Sequence, residues 1–200
     1  IYRDIIMDYS DYQILSQLRH NVISKMKVFV DINNERFFSD YELSQLSKIE
    51  VSFLTKNSIS RHGLTTNLDK SKKISPSNCK VRLNRKLFEK KYFLYAEFVL
   101  YHEYVHCLGN FSHDKNFRQL ENLWPNISEM NSFGRQLTRE LQETKSQWAW
   151  TCSKCGFIVK RSSRKFRSNY FHKECLGKLE NIPINLSLIH ISEPTRRNSI

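Results

Sequence analysis

The sequence predicts an α+β fold: helices around a small, mainly antiparallel sheet, followed by a small metal-stapled module. Three observations carry this expectation. Apolar residues recur at helical spacing over residues 10–28 and 92–108. Two short segments, 49–55 and 79–84, alternate apolar and polar residues as strands do. Two Cys/His pairs stand late in the chain at metal-ligand spacing. The 200 residues, 40% hydrophobic and 12% aromatic, suffice for one core plus an appendage. No apolar run approaches the roughly 20 residues a membrane-spanning helix requires, and no secretory signal opens the chain. It begins at Ile1 rather than Met, so the N-terminus reads as a fragment edge.

In the first helix, Ile14, Leu15, Leu18, Val22, Ile23 and Met26 fall largely on one face. Asn33-Asn34 suggests a turn. Ser39 can cap a short helix running to Leu46. In "IEVSFLT", Ile49, Val51 and Phe53 share a face, which reads as a strand. Gly63 is the expected bend in the segment that follows. "CKVRLN" is a second strand, with Val81 and Leu83 on one side. Residues 92–108 are apolar nearly all round, so this helix should be buried, and Gly109 is a natural stop. A helix from about Asp114 to Leu123, started near Ser112 or His113, comes before Pro125. Another is expected over roughly 133–145.

The buried helix carries His102-Glu103-Tyr104-Val105-His106. Residues four apart share a helix face, so both imidazoles can reach one zinc ion. Glu103 stands beside them, placed as general base toward a zinc-activated water. His113 follows past the Gly109 stop, where the chain can fold back to supply a third ligand. Three protein ligands and an open position describe a catalytic zinc site. The oxyanion donor is not identified. Tyr95, Tyr101 and Tyr104 are near in sequence, and helix packing is the simpler account of each.

Cys152-x2-Cys155 and His172-x2-Cys175 are separated by sixteen residues, the spacing of a zinc ribbon. Four ligands leave no open position and imply a structural zinc. An odd number of cysteines, clustered late, argues for metal ligation in a reducing, intracellular compartment over a disulfide framework. Cys79 and Cys107 lie outside both sets and read as small buried hydrophobes. The net charge of +12 favours a polyanionic partner, nucleic acid before membrane. Residues 151–180 hold eight basic residues against two acidic ones, with aromatics between them. Lys160, Arg161, Arg164, Lys165 and Arg167 are the candidate nucleic-acid contacts, pairing backbone charge with base stacking.

The order of these parts resembles the SprT-like metalloproteases, which include Spartan-type DNA-dependent proteases. "SRHGLTT" (60–66) is similar to the family's Arg-x-Gly segment, and "CKVRLNRKLF" (79–88) to the strand ending in Leu-Asn before its zinc helix. "LYHEYVH" carries the zinc motif. "HDKNF" (113–117) is similar to the His-Gly-x-x-Phe that supplies the third ligand, and "HKECLGKL" (172–179) to the closing half of its ribbon. Asp114 stands where the family has Gly, which bears on how that loop bends. His172 stands where a Cys is usual.

The resemblance implies a zincin-like metalloprotease domain over 1–146 and a zinc ribbon over 147–182. It further implies a zinc endopeptidase cleaving DNA-bound or DNA-crosslinked proteins, with DNA of single-stranded character as partner, one catalytic and one structural zinc, no membrane, and a monomer assumed. A zinc peptidase without DNA dependence and a non-catalytic nucleic-acid-binding zinc protein remain alternatives. The final stretch contains "LSLIHISEPTR" (186–196), which reads as an in-frame translation of a sequencing-library adapter. Residues 186–200 are therefore set aside as non-native, His190 with them, and the native C-terminus is expected to be missing.

Overall fold

The computed structural model describes residues 8–54, 58, 60–144, 146–162, 164 and 170–184. It is a mixed α+β chain that divides into two compact units, Ile1–Thr138 and Arg139–Ile200. The division falls eight residues before the boundary expected from the sequence. No helix among the described residues is long and apolar enough to cross a membrane.

Helix α1 (Tyr9–Met26) starts at Asp8, whose carboxylate accepts from the Asp11 amide and satisfies one of the unpaired N-terminal donors. Leu15, Leu18, Val22 and Met26 are buried at i, i+3, i+7 and i+11; each contributes about 1.5–3 kcal/mol on burial. Ile14 and Ile23 flank that stripe and are only half-buried. The Asn33-Asn34 turn forms, with Asn34 at φ 63°. Ser39 caps α2 (Asp40–Leu46) through a full capping box with Glu42.

The first sheet has the order β1–β3–β2, formed by β1 (Glu50–Phe53), β2 (Gly63–Asn67) and β3 (Cys79–Leu83). It is mixed: β1 runs parallel to β3, and β2 antiparallel to it. Across both sheets of the chain three of the four pairings are antiparallel. Gly63 is not a bend; it opens β2 and pairs with Leu83.

Helix α3 (Phe93–Cys107) is buried along nearly its whole length, as its all-round apolarity requires. It ends at Gly109, which takes the left-handed φ of 97° that glycine adopts at no steric cost. Its Glu97 is buried and pairs with Lys25 and Asn21 of α1, tying the two helices together. Helix α4 (Lys115–Glu121) begins at Asp114, which accepts from the Phe117 amide at 3.0 Å. Ser112 donates to the same carboxylate, so the cap is Asp114 rather than Ser112 or His113. Helix α5 (Ile127–Glu143) begins about two turns earlier than its apolar spacing suggests, because the left-handed Asn126 (φ 57°) turns the chain directly into it.

The second unit holds the sheet β5–β4–β6, formed by β4 (Trp148–Cys152), β5 (Ile158–Arg161) and β6 (Leu179–Pro183), wholly antiparallel. Ala149, Trp150 and Cys152 are buried in it. So small a sheet buries too little apolar area to be stable alone.

Candidate metal centres

Helix α3 places His102 and His106 one turn apart on one face, their ring centroids 4.9 Å apart. The return loop brings His113 to them: its Nε2 lies 3.0 Å from His102 Nε2. The three imidazoles each offer a ligand atom within a common 4.8 Å, and the set can hold a metal ion. Phe117, one turn into α4, packs against all three rings at 4.6–4.8 Å between centroids.

The outward nitrogens show why these rings point inward. His102 Nδ1 donates to Glu121 Oε1 at 2.8 Å, and His106 Nδ1 donates to the Asn110 carbonyl at 2.7 Å. A carbonyl can only accept, so His106 carries its proton on Nδ1 and presents the Nε2 lone pair. Glu121 enforces the same tautomer on His102. Burial opposes ionisation of Glu121, but hydrogen bonds from His102 and Arg118 outweigh it and hold its carboxyl below the ordinary glutamate value. Such outward partners are what orient histidine ligands in metal sites. With their protons on Nδ1, His102 and His106 both present Nε2 lone pairs on the side that His113 faces, and a cation there would draw all three rings together. Two nitrogens at zinc–nitrogen distance from a tetrahedral ion would stand about 3.3 Å apart, close to the separation found.

Glu103 lies beside this set and is 6% exposed. Burial pushes its carboxyl up; the neighbouring His102 and hydrogen bonds from Thr65 oppose that rise. The Thr65 hydroxyl, on β2, donates to Glu103 Oε2 at 2.7 Å. A Cβ on Gly63 would fall 2.5 Å from Glu103 Oε1 and 2.9 Å from Val99 Cγ1. The bare backbone of Gly63 is thus what lets β2 approach α3 and cradle the carboxylate. His102 and Glu103 open onto a cleft of about 350 Å³, also lined by Arg61, His62, Tyr95, Glu121 and Asn131.

In the second unit Cys152, Cys155, His172 and Cys175 converge within 4.8 Å and can hold a metal ion. Neighbouring ligand atoms lie 3.2–3.4 Å apart, and every cysteine of the chain is a free thiol. The two halves are built alike. The Gly156 amide donates to the Cys152 carbonyl, and the Leu176 amide to the His172 carbonyl. In each half the residue after the second ligand is left-handed: Gly156 at φ 71° and Leu176 at φ 55°. Burial disfavours the Cys152 thiolate, but backbone amides of Cys155 and Lys154 point at the sulfur and, with the neighbouring thiols, bring its pKa down to about 7. A Cβ on Gly177 would meet Lys154 Cβ at 2.6 Å, so that glycine lets the two halves close.

Of the candidate nucleic-acid contacts, Lys160 is exposed on β5. Arg161 lies over Trp150 at 4.2 Å and Arg164 over Trp148 at 5.2 Å. Lys165 and Arg167 lie outside the described residues. Phe157 stacks on His172 at 4.3 Å, Tyr170 lies tilted against Trp150 at 4.6 Å, and Phe171 is exposed.

Glu121, Asn110, Thr65 and Gly63 hold the imidazoles and the Glu103 carboxylate in place, and the motif alone does not mark them. Glu121 had a signal: it lies one helical turn beyond Phe117, so the α4 face that anchors the return loop must present it to the same rings. No protein-family model, curated protein or solved structure matches the chain.

Proposed function

We propose that this chain is a zinc-dependent endopeptidase of the SprT-like type, acting on proteins bound or crosslinked to DNA. The observation that carries the reading is the convergence of three imidazoles beside a buried carboxylate that, with His102, lines an open cleft. His102, His106 and His113 would hold the ion; three nitrogen ligands with room for a fourth suit zinc in a catalytic role. Zinc so held supplies Lewis acidity, lowering the pKa of water toward neutrality and polarising a carbonyl.

The protein's own part is positional. Glu103, its basicity raised by burial, takes the proton of the attacking water and returns it to the leaving amine. Thr65 and the bare backbone of Gly63 fix where that carboxylate sits. Glu121 and Asn110 fix the tautomers of His102 and His106. The Cys152, Cys155, His172, Cys175 set is closed, so zinc there would be structural and supply much of the folding energy of the small sheet. Lys160 and the arginines over Trp148 and Trp150 present cations with aromatic rings, a combination suited to single-stranded DNA.

The test is cleavage of a DNA-binding protein by the zinc-loaded chain, with and without single-stranded DNA. Zinc-dependent cleavage stimulated by DNA supports the reading; no cleavage by folded, zinc-loaded protein under any DNA condition refutes it. A zinc peptidase without DNA dependence is the second reading. The three imidazoles, Glu103 and the cleft all belong to the first unit and assemble without any basic residue of the second, which favours it. Cleavage that is indifferent to DNA would select it. A purely nucleic-acid-binding protein has no use for Glu103 in its buried cradle.

A further inference from the structure

The cleft beside His102 continues away from the imidazoles to a second group of polar residues that the proposed chemistry does not use. His62, Tyr95 and Asn131 line it, and the same three line an adjoining cavity of about 390 Å³. Arg61 stands on the first cavity and Arg135 on the second, so two guanidiniums flank the shared wall. Neither pairs with an acidic residue among the described residues. Of the acidic groups of the first cavity, Glu121 pairs with Arg118 and His102, and Glu103 accepts from the neutral Thr65 hydroxyl. Among the described residues, Arg61 and Arg135 are therefore the unpaired cations of this wall.

The wall is built and held. The Thr138 hydroxyl donates to the Gly134 carbonyl at 2.9 Å, so its oxygen accepts from His62 Nε2 at 3.1 Å. His62 Nδ1 is then an acceptor and takes the Tyr95 hydroxyl proton at 2.7 Å. Burial lowers the pKa of His62, consistent with the neutral ring this chain of bonds requires. The Tyr95 oxygen is left as a fixed acceptor. Gly134 explains itself here: a Cβ would lie 2.8 Å from the Tyr95 hydroxyl, so a glycine inside a helix, which costs about 1 kcal/mol against alanine, makes room for the tyrosine.

We infer that Arg61, Arg135, Tyr95, His62 and Asn131 form a substrate subsite that selects an acidic side chain. The Tyr95 oxygen accepts a substrate backbone N–H, and the arginines take the carboxylate. Tyr95 precedes His102 by two turns of α3, about 10 Å at 1.5 Å per residue. An extended peptide advances about 3.3 Å per residue, which places the acidic residue about three positions from the scissile bond. The inference rests on the peptidase reading for its register, not for the binding itself.

Two readouts on the full chain separate the two. In the first, cleavage sites in an unstructured protein are mapped for the zinc-loaded chain. Asp and Glu should be enriched about tenfold near the third position from the cut, and Arg61→Gln with Arg135→Gln should reduce that ratio to about one. In the second, the Glu103→Gln chain binds fluorescent peptides carrying Asp or Ala at that position. The Asp peptide should bind about tenfold tighter, and the two arginine substitutions should abolish the difference. Cleavage without acidic enrichment, together with binding blind to Asp, overturns the subsite. Arginine substitutions that weaken DNA binding but leave both acidic preferences intact also overturn it, assigning the cations to DNA instead. Absence of all cleavage with Asp-selective, arginine-dependent binding would remove the peptidase reading and leave the subsite standing.

Discussion

Gly63→Ala separates a site that merely contains Glu103 from one that depends on where Glu103 sits. The added methyl would lie 2.5 Å from Glu103 Oε1, 2.8 Å from its Cγ and 2.9 Å from Val99 Cγ1. Ordinary contact begins near 3.4 Å, so the carboxylate must retreat by about 1 Å or β2 must part from α3. Overpacking of this kind costs about 1–3 kcal/mol of stability. Misplacing a reacting group by about 1 Å costs on the order of 100-fold in rate, about 2.7 kcal/mol of barrier. The assay is the initial rate of cleavage of an unstructured protein, alongside zinc content and thermal unfolding of the same sample. The expected result is a folded chain with two zinc ions and a rate down about 100-fold. Thr65→Val tests the same cradle without steric strain and should cost about tenfold, as the loss of one hydrogen bond to a charged group does. If both variants cleave within threefold of the parent, Gly63 and Thr65 do not position the base.

Other expectations bear on the supports of the two centres. Glu121→Ala should weaken the more readily removed zinc about 10–100-fold in chelator competition and leave the second untouched; equal loss of both would contradict the assignment of Glu121 to His102. Cys152→Ser, or stripping of the tighter zinc, should abolish hydrogen-exchange protection in β4–β6 while α3 keeps its own. Persistent protection in β4–β6 would show that the small sheet needs no metal. Leu176→Gly should stabilise the zinc-loaded chain by up to about 1 kcal/mol in thermal unfolding, because Leu176 is left-handed and 75% exposed. A loss of stability there would mean that the side chain contributes packing the geometry does not show.

The parts of this molecule that sequence reveals are those whose physics is local. The spacing of His102 and His106 works only on a helix, and the surrounding residues are helical by apolarity alone. The Cys/His pairs close their loops within four residues each, so their spacing is their geometry. What escaped depends on residues meeting from afar. Parallel pairing of β1 with β3 leaves no mark in either strand, because alternation reads the same in both directions. Gly63 reads as a bend until α3 is seen against it, since nothing in "SRHGLTT" records which atom will stand 2.5 Å from its missing Cβ. Asp114 stands where the resembling family has glycine; its φ of −75° and the hydrogen bond it accepts from the Phe117 amide make it the cap of α4, a role the substitution alone does not announce. The early start of α5 was hidden because Ile127 and Met130 alone are too few apolar residues to show a period; Met130, Leu137 and Leu141 share its buried side only once the helix is drawn from Ile127.

The central claim is that three imidazoles hold a zinc ion for chemistry whose proton is carried by Glu103. Its most direct test is the cleavage rate of the zinc-loaded Glu103→Gln chain against the zinc-loaded parent. The account expects unchanged zinc content and a rate lower by about 10²–10⁴-fold, the contribution of a positioned general base. Equal rates at equal zinc content would contradict it.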